Sequence, residues 1–241
     1  MRIPNAARTP LALLWLVVAA LVYIPVCPLV LAQSARVGDS SVADVHIGVL
    51  GLFHPLQFTV SAAAGSALVL RAGEERIVLE KSSGVDSANV RISGSGVVVS
   101  AGNRVVRALK LTVNGRESGP IDFVLAVPQK ILRRYHGILE VRPSAGTLTA
   151  IVTMDRETAV ASVVAAESTP ETPVEALKAQ AVAARSYLVA SRGRHLEFDF
   201  CDTTHCQFLR ESPAPRSAAA RAVAATRDLV LAYDSHPLAA M

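Results

Sequence analysis

The apolar positions of this chain follow three successive patterns. From Leu11 to Val22 they form an unbroken run behind Arg2 and Arg8, and a stretch interrupted by Pro25 and Pro28 continues it to Ala32. Val30 and Ala32 place small residues at −3 and −1 of a cut before Gln33, so 1–32 reads as an export signal in all three of its regions. The unbroken run is short for a membrane span, which takes about 20 residues. A retained anchor over Leu11–Ala32 is the alternative. Cys27 follows Ile24-Pro25-Val26, which lacks the small residue expected before a lipidated cysteine.

From Val45 to Met154 the period is close to two. Strands are predicted at Val45–Leu50, Ala67–Arg71, Arg76–Leu79, Val97–Ser100, Val105–Val113, Ile121–Val127, Ile138–Val141 and Thr147–Met154. Gly, Ser, Asn and Pro separate them, and Asn114-Gly115 is a turn signal because both residues tolerate positive φ. The period then becomes helical over Glu157–Glu167 and Pro173–Arg192, where Ala, Val and Leu recur at three and four residues. Pro173 suits a first-turn position, with Thr172 as its N-cap. Ser217–Thr226 reads as a shorter helix and Leu229–Tyr233 as a terminal strand. Strands followed by helices, without βαβ alternation, indicate an α+β chain. It divides into a β-rich region at 45–134, an accessory part or a spacer, and a mixed domain at 135–241 with two Ala-rich helices and a His/Cys loop.

Composition narrows this picture. Charged residues at 18% against 51% apolar allow a core rather than disorder. The net charge of +4 is small, and the basic residues Arg71, Arg76, Arg91, Arg104 and Arg107 are scattered without interleaved aromatics. That argues against nucleic acid as a partner. A mild positive balance is a solvated surface or a weak attraction to anionic polymer.

Three sets of residues can carry chemistry. Glu167 ends the apolar stretch Ala159–Ala166, just before Ser168-Thr169-Pro170 breaks the helix. Partial desolvation by Val163 and Val164, with the negative end of the helix nearby, favours the protonated form that a general acid needs. An ordinary surface Glu fits the same position. Gln180 and Arg185 lie on different sides of the Ala-rich helix. They are either structural polar residues, with Arg185 pairing to Glu171 or Glu175, or ligand contacts. The sequence His195-x5-Cys201-x3-His205-Cys206 gathers two thiols and two imidazoles. Tetrahedral zinc and a Cys201–Cys206 disulfide are both open readings, the latter favoured by an oxidising compartment.

Taken in order, these segments resemble the stage II sporulation protein D (SpoIID/LytB) family. The resemblance rests on Tyr135-His136-Gly137, Glu157-x9-Glu167, the run Glu175–Tyr187 (EALKAQAVAARSY), Phe200-Cys201-Asp202-Thr203…Cys206-Gln207, and Ala222-Val223…Val230-Leu231-x-Tyr233. Val45–Val49 is similar to a strand that often opens such proteins. The resemblance implies a domain acting on peptidoglycan, and the export signal read in 1–32 makes it extracytoplasmic, secreted or periplasmic. Lytic transglycosylases and non-catalytic enhancers of a wall amidase both occur in the family. It implies Glu167 as the single catalytic acid, with Gln180, Arg185 and Tyr187 toward sugar or peptide groups, or with Gln180 and Arg185 supporting the Glu167 helix instead. It also implies a structural zinc on His195, Cys201, His205 and Cys206. Tyr187 is either a stacking ring or core filling. Two departures are present: Ser168 stands where the family usually has Met, and the chain ends at Met241 where the family continues into a Gly-Gly segment. An incomplete cleft is therefore expected.

Overall fold

The structure, a computed structural model, describes residues 33–36 and 44–239. The export signal expected at 1–32 lies outside the described residues. Gln33–Arg36 (β1) is followed by Val45–Val49 (β2), Gln57–Ala62 (β3), Leu68–Ala72 (β4), Glu75–Leu79 (β5), Ser87–Ser93 (β6), Gly96–Ala101 (β7), Arg104–Ala108 (β8), Leu111–Asn114 (β9), Ile121–Val127 (β10), Ile131–Ser144 (β11) and Thr147–Met154 (β12). Three helices come next, Arg156–Glu167 (α1), Val174–Ala190 (α2) and Ala218–Ala225 (α3), with Phe200–Cys201 (β13) before α3 and Leu229–Tyr233 (β14) and His236–Pro237 (β15) after it. The chain is α+β, as its periodicity predicts.

Most strands form one 12-stranded sheet in the order β13-β2-β12-β11-β10-β3-β6-β7-β8, with β9, β4 and β5 branching from β11. Its pairing is antiparallel except where β13 runs parallel to β2. Strands such as β10 and β11 alternate inward and outward, as a half-buried strand requires, whereas Leu68–Leu70 of β4 and Val97–Val99 of β7 are buried throughout. Phe58, Val60, Leu68, Leu70, Val90, Val99, Leu111, Phe123, Leu125 and Leu139 are fully shielded in its core.

β11 makes the branching possible. Its first half pairs with β10, up to Gly137 opposite Ile121, and its second half pairs with β12 and β9. Gly137 sits at the change, with φ +154. A Cβ there would lie 2.4 Å from the Thr153 carbonyl oxygen. The glycine of the Tyr135-His136-Gly137 motif is therefore fixed by close approach of backbone to backbone. The strand runs through Tyr135 without a break, so the β-rich region and the start of the mixed domain share one sheet.

Several elements differ from expectation. β3 and β6 were not foreseen, and the run Val105–Val113 is two strands separated at Leu109, which is 75% exposed. Asn114 ends β9 and is buried, and the loop after it is closed by Gly115 N–H on the Gly119 carbonyl at 2.9 Å. Thr172 does not cap α2. Its Oγ1 accepts instead from the Thr169 N–H at 3.0 Å, and Pro173 occupies the N-cap position.

The helices pack on one another and on β14. Ala159, Val160, Val163 and Val164 of α1 meet Ala181, Ala184 and Leu188 of α2 in the core. β14 also pairs antiparallel with β1 and β15 in a separate 3-stranded sheet.

Candidate functional site

α1 begins where the Asp155 side chain accepts the Thr158 N–H at 3.1 Å. It ends at Glu167, because Ser168 turns to an extended conformation with ψ 159° before Thr169-Pro170. Glu167 is thus the last helical residue, and it is exposed. Desolvation by Val163 and Val164, expected from their spacing, is not what surrounds its carboxylate: those two side chains are fully buried while Glu167 stands beyond them. Two donors hold it instead. Gln180 of α2 donates its Nε2 to Oε2 at 2.6 Å, and the backbone N–H of Phe208 donates to Oε1 at 3.3 Å. The structure thus brings together two of the sequence-derived candidates, Glu167 and Gln180. The third partner, a main-chain N–H, leaves no mark in a side-chain pattern.

Arg185 serves a different purpose from a substrate contact. It is fully buried. Its Nε and Nη2 donate to the two oxygens of Glu157 at 2.8 and 2.6 Å, and Nη1 donates to the Leu229 carbonyl at 3.0 Å. The partner is Glu157 rather than Glu171 or Glu175, because the contact crosses from α2 to α1 instead of staying with residues near in sequence. With no exposed atom, Arg185 cannot meet a ligand. It binds α1, α2 and β14 into one unit. The neighbouring Ser186 adds to this, its hydroxyl accepting the Leu231 N–H at 2.7 Å.

Tyr187 is likewise fully buried, its ring 5.7 Å from that of Phe200. Burial pushes its phenol up from the usual range, against the Arg194 guanidinium that donates to its oxygen at 2.7 Å. It fills core, which of the two readings open for Tyr187 is the one that its burial matches.

The four His/Cys candidates converge. The ligand atoms of His195, Cys201, His205 and Cys206 all lie within 4.8 Å of one another, a group that could hold a metal ion. His195 Nε2 is 3.2 Å from the Cys206 sulfur, which is 3.7 Å from His205 Nδ1. The Cys201 sulfur is 3.8 Å from the same nitrogen. Both cysteines are free thiols, so the disulfide reading is not the arrangement found. Burial, His205 and Arg194 push His195 down, toward the neutral imidazole that a cation requires. Burial pushes the Cys206 thiol up from its ordinary value.

A groove of about 830 Å³ runs along α1, walled by Asp122 and His136, by α3 and by the loop at 210–215. Glu167 is not in its wall, but the adjoining Ala165 and Ala166 are. Arg210, another wall residue, lays its guanidinium 3.5 Å from the centre of the Phe208 ring. The groove therefore reaches the chain segments on both sides of the acid.

Residues 144–233 match the model of the SpoIID family, described as stage II sporulation protein. A search of curated proteins found no match. The matched segment runs from the end of β11 to the end of β14, and Glu157, Glu167, Gln180, Arg185 and all four His/Cys residues fall inside it. Over residues 144–233, less than half of its length, the chain is thus similar to the SpoIID family.

Proposed function

We propose that this chain acts on peptidoglycan outside the cytoplasm as a lytic transglycosylase, cleaving the bond between N-acetylmuramic acid and N-acetylglucosamine with Glu167 as its single general acid/base. The observation that carries the reading is the exposed Glu167 carboxylate held from two sides, by Gln180 at 2.6 Å and the Phe208 N–H at 3.3 Å. A hydrolase of the usual kind needs a second carboxylate to activate water or form a covalent intermediate. An intramolecular displacement does not.

In this scheme protonated Glu167 gives its proton to the glycosidic oxygen as the bond to the muramyl anomeric carbon breaks. The carboxylate then takes the proton of the muramyl 6-hydroxyl while that oxygen bonds to the same carbon. A 1,6-anhydro ring results, Glu167 ends protonated as it began, and no water is consumed. Gln180 and the Phe208 N–H keep the carboxylate in one orientation through both proton transfers. Each carboxylate oxygen retains a second lone pair for the substrate.

The same reading gives the His/Cys cluster to zinc. Bonds of about 2.0 Å to nitrogen and about 2.3 Å to sulfur set tetrahedral ligands roughly 3.3–3.8 Å apart. Three of the six separations, 3.2, 3.7 and 3.8 Å, lie close to that range and the others stay within 4.8 Å, so a small inward movement of the side chains would close the cage. Four protein ligands leave no open position, so the ion would supply structure rather than a reacting site. The leader-like pattern of 1–32 supports export to where the glycan is.

The test is digestion of purified wall sacculi followed by mass analysis of the soluble products. Anhydromuramyl ends that vanish with Glu167→Gln are the expected result. Well-folded protein that releases none, yet still binds sacculi and stimulates an amidase, would replace this reading with that of a non-catalytic enhancer.

A further inference from the structure

We infer that Gly48 is a positioning residue for the His/Cys cluster: by carrying no side chain, it admits the Phe198 ring that fixes His195. The inference rests on the metal reading given above.

The loop that bears the cluster is built on β2, far away in sequence. Val45, Ile47 and Val49 point into the core, which leaves His46 and Gly48 on the outer face of the sheet. β13 lies parallel against β2, with Cys201 opposite Gly48. The Asp199 N–H donates to the His46 carbonyl at 2.9 Å, and the Asp202 N–H to the Gly48 carbonyl at 3.1 Å. Side chains add to the backbone pairing. Asp199 accepts the His46 N–H at 3.0 Å, and Asp202 takes Nη1 of Arg133 at 2.9 Å and the Leu50 N–H at 3.3 Å. Cys201 therefore inherits the rigidity of the sheet.

His195 does not. It lies in the irregular segment between α2 and β13, next to Leu196, which is wholly exposed. Its ring packs against Phe198 at 4.5 Å between centroids. Phe198 in turn lies flat over Gly48. A Cβ on Gly48 would meet three atoms of that ring at 2.5, 2.6 and 2.7 Å. Any side chain at 48 must therefore displace Phe198. The ring is only partly buried and can swing into solvent, so the displacement spares the fold while His195 loses its support.

Groups that orient a metal ligand without touching the metal usually carry about 10–100-fold in affinity. Cobalt(II) titration of the wild-type chain, Gly48→Ala, Phe198→Ala and the double variant, read by the thiolate-to-cobalt and d–d absorption bands, tests the inference. Gly48→Ala is expected to weaken cobalt about 10-fold or more, with the far-UV spectrum and thermal midpoint close to wild type. Phe198→Ala should lose a similar factor, and the double variant should bind no more weakly than Phe198→Ala alone. Unchanged affinity in either single variant would overturn the inference, as would a further loss on adding Gly48→Ala to Phe198→Ala. If Gly48→Ala does not fold, Phe198→Ala decides by itself, since it leaves β2 untouched. A wild-type chain that gives no tetrahedral cobalt spectrum removes the metal reading first, and this inference with it.

Discussion

Arg185 and Glu157 meet through two parallel hydrogen bonds, at 2.8 and 2.6 Å, in a place where the guanidinium has no contact with solvent. Paired forks of this kind are strong and directional. Removing Arg185 leaves Glu157 mostly shielded, with only Arg156 at 3.6 Å to offset its charge, which costs at most about 3–5 kcal/mol. Arg185→Met is therefore expected to lower the denaturant midpoint by that order. Arg185→Lys should recover little of the loss, because one ammonium cannot reproduce the fork. Chemical unfolding of the two variants checks this; a change within about 0.5 kcal/mol, as at an ordinary surface site, would return Arg185 to the list of ligand contacts.

Glu167→Gln keeps the shape of the side chain and removes its proton chemistry. Release of anhydromuramyl ends should fall at least about 100-fold, the lower range for loss of a general acid/base. Binding to sacculi should persist, because an exposed residue at a helix end contributes little to stability. Product mass analysis and pull-down on the same preparation separate the two effects.

Gln180→Ala removes one of the two donors that orient Glu167. A hydrogen bond to a charged group is worth about 1.5–3 kcal/mol, so turnover should drop roughly 10- to 100-fold. KM should change little, since the group lost faces the acid and not the glycan. Steady-state rates on a defined glycan oligomer give that split, and an effect on KM alone would make Gln180 a direct sugar contact.

What the sequence revealed depended on how local the signal was. The helices of the Glu167 region were legible because their apolar spacing and the Ser168-Thr169-Pro170 break lie within a few residues of each other. The His/Cys cluster was legible for the same reason, four ligand-type residues from His195 to Cys206. For Arg185 the structural reading agrees with the fold but its partner differs, because Glu157 lies on another helix while the neighbouring sequence offered Glu171 and Glu175. Phe208 acts through its backbone, which every residue has. β3 and β6 alternate clearly at Phe58 and Val60, and at Ala88, Val90 and Ile92, but their Ser- and Asn-rich polar positions look like loop. Gly48 could be recognised as part of a motif, yet its reason became visible only with Phe198 lying across it.

Gly137 and Gly119 differ in what a methyl group would meet. At Gly137 it would stand 2.4 Å from the Thr153 carbonyl oxygen and 2.9 Å from Val152 Cγ1, at φ +154, while at Gly119 nothing lies within 4 Å. Gly137→Ala should cost about 1–3 kcal/mol or more, the range for a strained backbone site. Gly119→Ala should stay within about 0.5 kcal/mol. Thermal unfolding of the pair tests whether the bend of β11 depends on this glycine.

Chelation should act on the acid through the chain that joins them. Phe208 lies two residues after Cys206, and its N–H is one of the two donors to Glu167. Stripping the metal, or replacing Cys201 by Ser, frees the loop that carries this donor. The thermal midpoint should fall, because a ligand that binds only the folded state adds to its stability. Lytic activity should fall with it and return when zinc, but not magnesium, is restored, since two thiolates and two imidazoles suit the softer ion. Magnesium prefers octahedral oxygen ligands and keeps its water, so it has no fit to this cluster. Elemental analysis is expected to give about one zinc per chain, falling to background in Cys201→Ser. A stripped protein with unchanged midpoint and activity would mean that the sheet contacts of β13 hold the loop without the ion.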